Sequence, residues 1–254
     1  MGKTRPRKRH VQQSFDYRRD KNGQRRGLSR HKRTGRPPKG PRSSERHKRR
    51  QAFKPSEPLL VTVRVDKAVG NLRRRGIYHA LRFALYACAL REEFRVVHFS
   101  IQRTHLHMIV EATSKEALSK HMKGLLISAA RQINGAVSIE TGKRRRGRVV
   151  SDRYHASVLS SPRQVRNAIA YVLNNWRRHQ EDRDGAARAW LVDPFSSGCN
   201  FGGWKELEDK RFLFSVRETY KPLFTCLPKT WLLRDGWERR GLIGARETPG
   251  PMRE

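Results

Sequence analysis

The sequence predicts an α+β fold: a four-stranded antiparallel sheet in the order β-α-β-β-α-β, with one further helix after the last strand. Three observations carry this. Short segments with alternating apolar residues exchange with longer ones whose apolar residues recur every three or four positions. Two strand-like segments are joined by a two-residue link, which implies a hairpin. Two of the helical segments open on capping signatures.

The elements follow in order. "PLLVTVRV" (residues 58–65) sets Leu59, Val61, Val63 and Val65 on one side, as in a half-buried strand. Residues 72–92 run at helical spacing, with Leu72, Ile77, Leu81, Leu85 and Cys88 along one side. "FRVVHFSI" (94–101) reads as a second strand, with Val97, Phe99 and Ile101 on one face. Arg103-Thr104 makes a tight link into a third strand, His105–Glu111. "TSKE", from Thr113, has the form of a capping box before the stripe Leu118, Met122, Leu125, Ala129 and Ile133, and Asn134-Gly135 reads as its stop. The basic turn "GKRRRG" (142–147) precedes a fourth strand over Val149–Leu159. In "SPRQ", Ser161 can cap, Pro162 suits the first helical position and Gln164 can reach back, opening a helix that runs to about His179. This is the ferredoxin-like split β-α-β arrangement. Both crossover helices cover one face of the sheet, and the other face is left open to the final helix.

Composition bounds the partner. The 254 residues carry a formal net charge of +34, and residues 1–57 alone hold 21 Lys and Arg against 4 Asp and Glu. So large a surplus is tolerable beside a polyanion, and nucleic acid is the leading class. Residues 1–57 have too few aliphatic side chains to offset backbone entropy and read as a basic DNA-binding arm, disordered until bound. Within it, "TGRPPKGPR" places Arg36 in a Gly-Arg-Pro core that resembles a minor-groove hook, or else forms part of a basic linker. Residues 58–182 form the expected catalytic domain and 183–254 an accessory region, where Trp190, Trp204, Trp231 and Trp237 either pack or stack on bases. Cys88, Cys199 and Cys226 are odd in number and far apart, which argues against a disulfide framework and fits a reducing cytoplasm. No apolar leader and no membrane-length run is present, so a membrane partner is not expected.

The chemistry gathers on the third strand. Leu106, Met108 and Val110 share the face toward the helices; His105, His107, Ile109 and Glu111 share the other. Imidazoles at i and i+2 stand about 6–7 Å apart at the backbone, which suits two ligands of one metal ion or two surface histidines. The last helix carries "AYVLNNW", with Tyr171 and Asn175 one turn apart on one face and Ile169, Val172 and Trp176 placed to anchor it. That helix has one obvious surface to cover, so a phenol, an amide and two imidazoles would converge.

With "HLH" at His105–His107, "DRYH" from Asp152 and "AYVLNN" from Ala170, the chain resembles the HUH-type single-tyrosine transposases, specifically the REP-associated, insertion-sequence-200-like group. The resemblance runs from about Leu59 to His179. It implies Tyr171 as nucleophile, His105 and His107 as metal ligands, and Asn175 as the third ligand, where better-studied branches often carry Gln. It further implies Mg²⁺ or Mn²⁺, single-stranded DNA with hairpin ends, a 5′-phosphotyrosine intermediate resealed by a 3′-hydroxyl, a homodimer in some relatives, and a prokaryotic cytoplasmic, nucleoid-associated location. His98 falls on the same face by parity, as a competing ligand or a DNA contact. The other expected DNA contacts are Arg64 on the first strand, Lys123 on the second helix, Arg144, Arg145 and Arg146 in the basic turn, and Arg153 and His155 on the fourth strand, which leads into the tyrosine helix. Two other functions compete: a rolling-circle-type nicking initiator, and an inert, domesticated DNA- or RNA-binding protein.

Overall fold

The computed structural model describes residues 51–89, 91–183, 185–209, 221–248 and 250; Arg36 and most of the basic arm lie outside them. The order is β1 (Leu59–Arg64), α1 (Arg75–Tyr86), β2 (Phe94–Ile101), β3 (His105–Ala112), α2 (Lys115–Thr141), β4 (His155–Val158) and α3 (Pro162–Arg178). The strands form one antiparallel sheet in the order β2-β3-β1-β4, so each β-α-β crossover spans an intervening strand.

Strand alternation divides the sheet into two faces. Val61, Val63, Phe99, Leu106, Met108 and Val110 meet α1 and α2, where Ile77, Leu81, Leu118, Met122 and Leu125 complete a core. Each of these aliphatic side chains contributes about 1.5–3 kcal/mol by leaving water. The opposite face is covered rather than open. Leu60, Val97 and Ile109 pack on Val165, Ile169, Val172 and Leu173 of α3, and on Trp204, Trp237 and Ile243 of the tail. Trp204 and Trp237 therefore pack, whereas Trp231 is 44% exposed, with the Arg239 guanidinium 4.9 Å over its ring.

Several boundaries differ from the sequence expectation. The register of β2 shifts between Val96 and His98. This bulge sends both Val97 and His98 to the α3 face, so Val97 does not share a side with Phe99 and Ile101. α2 continues through Asn134-Gly135, because Val137 extends its apolar stripe, and stops at Gly142 with φ 65°. Ser114 rather than Thr113 caps it, accepting from the Ala117 N–H at 3.0 Å. β4 is four residues long, and only a single bridge, Val65 to Val150, joins the sheet before it. The cap of α3 is as expected: Ser161 accepts from the Gln164 N–H, Pro162 opens the helix, and Gln164 reaches back to the Ser160 N–H.

The tail is held by specific bonds. Glu111, at the end of β3, accepts from the backbone N–H of Lys229 and Thr230 and from the Thr230 hydroxyl. Gly203 sits where a Cβ would run into the rings of Trp237 and Phe201, so the close packing there requires glycine. Among the described residues the cysteines are free thiols, and no helix is long and apolar enough to cross a membrane.

Candidate active site

His105 and His107 stand side by side on β3, ring centroids 4.6 Å apart. The register fixes their neighbours. Thr62 of β1 lies opposite His107, and Arg64 lies opposite His105. Thr62 Oγ1 is 3.1 Å from His107 Nδ1, and Thr104 Oγ1 is 3.2 Å from His105 Nδ1. Each hydroxyl orients its ring through Nδ1 and leaves Nε2 on the outer edge.

α3 brings the phenol to that edge. Tyr171 Oη is 3.4 Å from His107 Nε2, and the two rings meet edge to face at 4.8 Å. Where Nδ1–H donates to Thr62, Nε2 turns its lone pair toward Tyr171. Asn175, one turn along, is fully buried, and neither atom of its amide has a hydrogen-bond partner of ordinary geometry. Its side chain interacts with the Tyr171 phenol, and its oxygen accepts from no donor among the described residues. His179, at the cap of α3, adds a third ring 5.5 Å from His105.

Burial sets the electrostatics. The His107 pKa is pushed down to about 3, chiefly by desolvation and then by His105 and His179. That of His105 falls to about 4, by desolvation, His179 and Arg64. Both rings are thus neutral at physiological pH, the form that ligates a metal. Desolvation raises the Tyr171 phenol, against the opposing pull of Arg178 and of the adjacent Asn175 amide. The phenol is therefore protonated at rest and needs local positive charge to become a good nucleophile.

Among the described residues no group of three or more His, Cys, Asp or Glu side chains is placed to hold a metal ion. A third protein donor beside the two histidines would be the Asn175 amide, whose unpartnered oxygen fits that role. Two imidazoles and one amide oxygen match a borderline or hard divalent cation that keeps further positions for water or substrate oxygen.

The expected DNA contacts divide by position. Arg64 and His155 are exposed on the site face: His155 lies opposite Thr62, in the same cross-strand row as His107. Arg153 is exposed just before β4. Lys123 is exposed on α2, in the layer behind the sheet. Arg144 and Arg146 are exposed, but Arg145 folds back on Asn134 and on the Arg148 carbonyl. His98 is 8% exposed, beneath Phe201 and 3.5 Å from Ser197 Oγ. The tail thus closes off the surface on which His98 was expected to meet DNA. Sequence reasoning singled out neither Thr62 nor His179. Both were accessible to it: Thr62 through strand register, His179 as the residue one turn beyond Asn175.

Residues 63–175 match the family described as IS200-like transposases. No curated protein matches the chain. Among solved structures, a REP-associated tyrosine transposase bound to a REP hairpin is similar at 18% identity and a TM-score of 0.43, over 61% of this chain and 82% of its own. A Deinococcus radiodurans R1 protein described as a transposase is similar at 14% identity and a TM-score of 0.33, over 55% of this chain and 98% of its own.

Proposed function

We propose that the protein, whose residues 63–175 match the IS200-like transposase family, cuts and rejoins single-stranded DNA next to a hairpin, with Tyr171 as the nucleophile. One observation carries this reading: Tyr171 Oη lies 3.4 Å from His107 Nε2, with the buried Asn175 amide beside the phenol. In the reaction the phenol loses its proton and its oxygen bonds to phosphorus. The 3′ oxygen leaves and takes up a proton, giving a 5′-phosphotyrosine and a free 3′-hydroxyl. A second 3′-hydroxyl reverses these steps and restores the phosphodiester, because the ester to tyrosine conserves the energy of the broken linkage.

The chain's own residues prepare each step. Packing of Ile169 and Val172 beneath α3 fixes the direction of Tyr171. Thr62 and Thr104 hold the imidazoles in place, and Asn175 offers an amide oxygen as the third donor. His105, His107 and Asn175 would hold Mg²⁺ or Mn²⁺. When bound, the cation offsets the charge that builds on the non-bridging phosphate oxygens. Arg64, Arg153 and His155 on the exposed side of the sheet suit the backbone of the incoming strand.

The test is incubation of the full chain with single-stranded DNA from the flanks of its own gene, with Mg²⁺ or Mn²⁺. A covalent protein–DNA adduct is expected. Tyr171→Phe should abolish it and leave DNA affinity within about threefold, since one hydroxyl contributes little to a backbone-dominated interface. An adduct that survives Tyr171→Phe overturns the assignment, and nicking without resealing moves the reading to a rolling-circle-type initiator.

A further inference from the structure

A cavity of ≈ 560 Å³ opens beside His105, between the β2–β3 turn and the cap of α3, and involves Gln102, Arg103, His179, Gln180 and Arg183. His105 is part of its lining, but Tyr171, His107 and Asn175 are not, so it runs from one edge of the reacting centre. Its size lies in the range of small-ligand pockets, about 300–1,000 Å³, enough for one nucleotide.

Two features single it out. First, Gln102 is fully buried, and its Oε1 has no hydrogen-bond partner, although its Nε2 donates to Ser100. Second, Gln180 is the only non-glycine among the described residues with positive φ, at 57°. The helix ends in a Schellman turn: the Glu181 N–H bonds to the Trp176 carbonyl and the Gln180 N–H to the Arg177 carbonyl. Glycine serves that position at less conformational cost, so stability alone does not explain a glutamine there. Its side chain lines the cavity, and Arg183 donates to its Oε1 at 3.2 Å. That leaves the Gln180 NH₂ to donate.

Charge decides the kind of occupant. Glu181 also lines the cavity, but it is buried and paired with Arg73 at 3.0 Å. A phosphate deep in the pocket would meet that carboxylate, which also pairs with Arg103 at 3.7 Å, whereas Arg183 at the exposed rim suits a phosphate outside. The Gln180 amide thus offers a donor at the cavity, while the Gln102 amide stays fully buried behind it; such a donor matches an acceptor on the edge of a nucleobase. We propose that this cavity receives the base of the nucleotide flanking the cleaved linkage, with Gln180 reading its edge, so that the pocket selects the cleavage site. The proposal rests on the strand-cleavage reading above.

The experiment uses the full chain and a set of hairpin-bearing single strands that differ only in the base on either side of the cleaved linkage. The wild type should form its adduct about five to ten times faster with the preferred base at one of the two positions, the worth of one or two hydrogen bonds. Gln180→Gly should keep or raise the melting temperature, still form the adduct, and lose the preference to below about twofold. A preference unchanged in Gln180→Gly, or no preference in the wild type, overturns the pocket and leaves cleavage standing. If the wild type forms no adduct with any strand, the cleavage reading fails. The pocket is then decided by binding: deoxynucleoside monophosphates should shift the His179 ring resonances in the wild type and not in Gln180→Gly, and no shift in the wild type overturns it.

Discussion

At His98 the sheet face that carries the two site histidines passes beneath protein instead of solvent. The ring touches the edge of Phe201 and has one weak partner, Ser197 Oγ at 3.5 Å. Burial pushes its pKa down from 6.5 to about 4. Between those values the unfolded chain takes up a proton that the folded chain refuses. The folded state is therefore at full strength above pH 6.5 and loses stability as the pH falls toward 4. The loss from this residue is on the order of 3 kcal/mol. His105 and His107 act in the same direction, to about 4 and about 3, so acid destabilises the metal-free site as well as the packing under the tail. His98→Met keeps the volume and removes the titration. Melting curves of the metal-free protein at pH 4.5 and 7 should differ less for this variant than for the wild type; an equal difference would contradict the account.

At the scale of the element, the tyrosine helix depends on a strap from the tail. Arg166 grips Glu247 with both guanidinium nitrogens, at 2.6 and 2.8 Å, and also donates to the Gly241 and Leu242 carbonyls. Asn174 donates to the Gly244 carbonyl and Arg177 to the Ala245 carbonyl, each at 2.9 Å. The strap bonds to Arg166, Asn174 and Arg177 rather than to Tyr171 itself, so it restrains the helix that carries the phenol. Arg166→Ala should cost about 2 kcal/mol in chemical denaturation, because it leaves two carbonyls and a carboxylate short of partners. Glu247→Gln should cost less, about 1 kcal/mol, since that pair is partly exposed. Faster amide exchange across α3 should accompany both, and unchanged exchange would argue that the strap does not restrain the helix. Little of this was legible in the sequence. Caps and alternation are local signals, so the start of α3, the hairpin link and the facing of His105 and His107 could be read directly. The strap works through backbone carbonyls, which any residue supplies, and through an ion pair whose members are 81 positions apart. The bulge at Val97 was equally hidden: "VVHF" reads as plain alternation until the register with β3 places both Val97 and His98 on one face.

For the whole molecule, the proposed function divides between a clamped sheet that carries the candidate site and a large positive charge. The sheet is packed on both faces, so His105, His107 and Tyr171 rest on rigid elements with little freedom to rearrange around a substrate. DNA affinity must then come largely from charge outside this constellation. Residues 1–57 hold half of the +34 surplus. For single strands the logarithm of the binding constant falls with the logarithm of salt concentration at about 0.7 per phosphate neutralised. An arm that engages six or more phosphates therefore contributes roughly 4 to that slope. Removing residues 1–50 should lower the slope by at least about that much and weaken binding most at low salt. Adduct formation at saturating DNA should persist, because the proposed nucleophile and ligands, Tyr171, His105, His107 and Asn175, all lie in the part of the chain that is kept. Binding titrations from 50 to 300 mM salt, on the full and shortened chains, measure the first effect, and single-turnover adduct yield measures the second. A slope that does not change would move the DNA-holding charge onto the folded domain, to Arg64, Arg153 and the exposed arginines of the 142–148 turn.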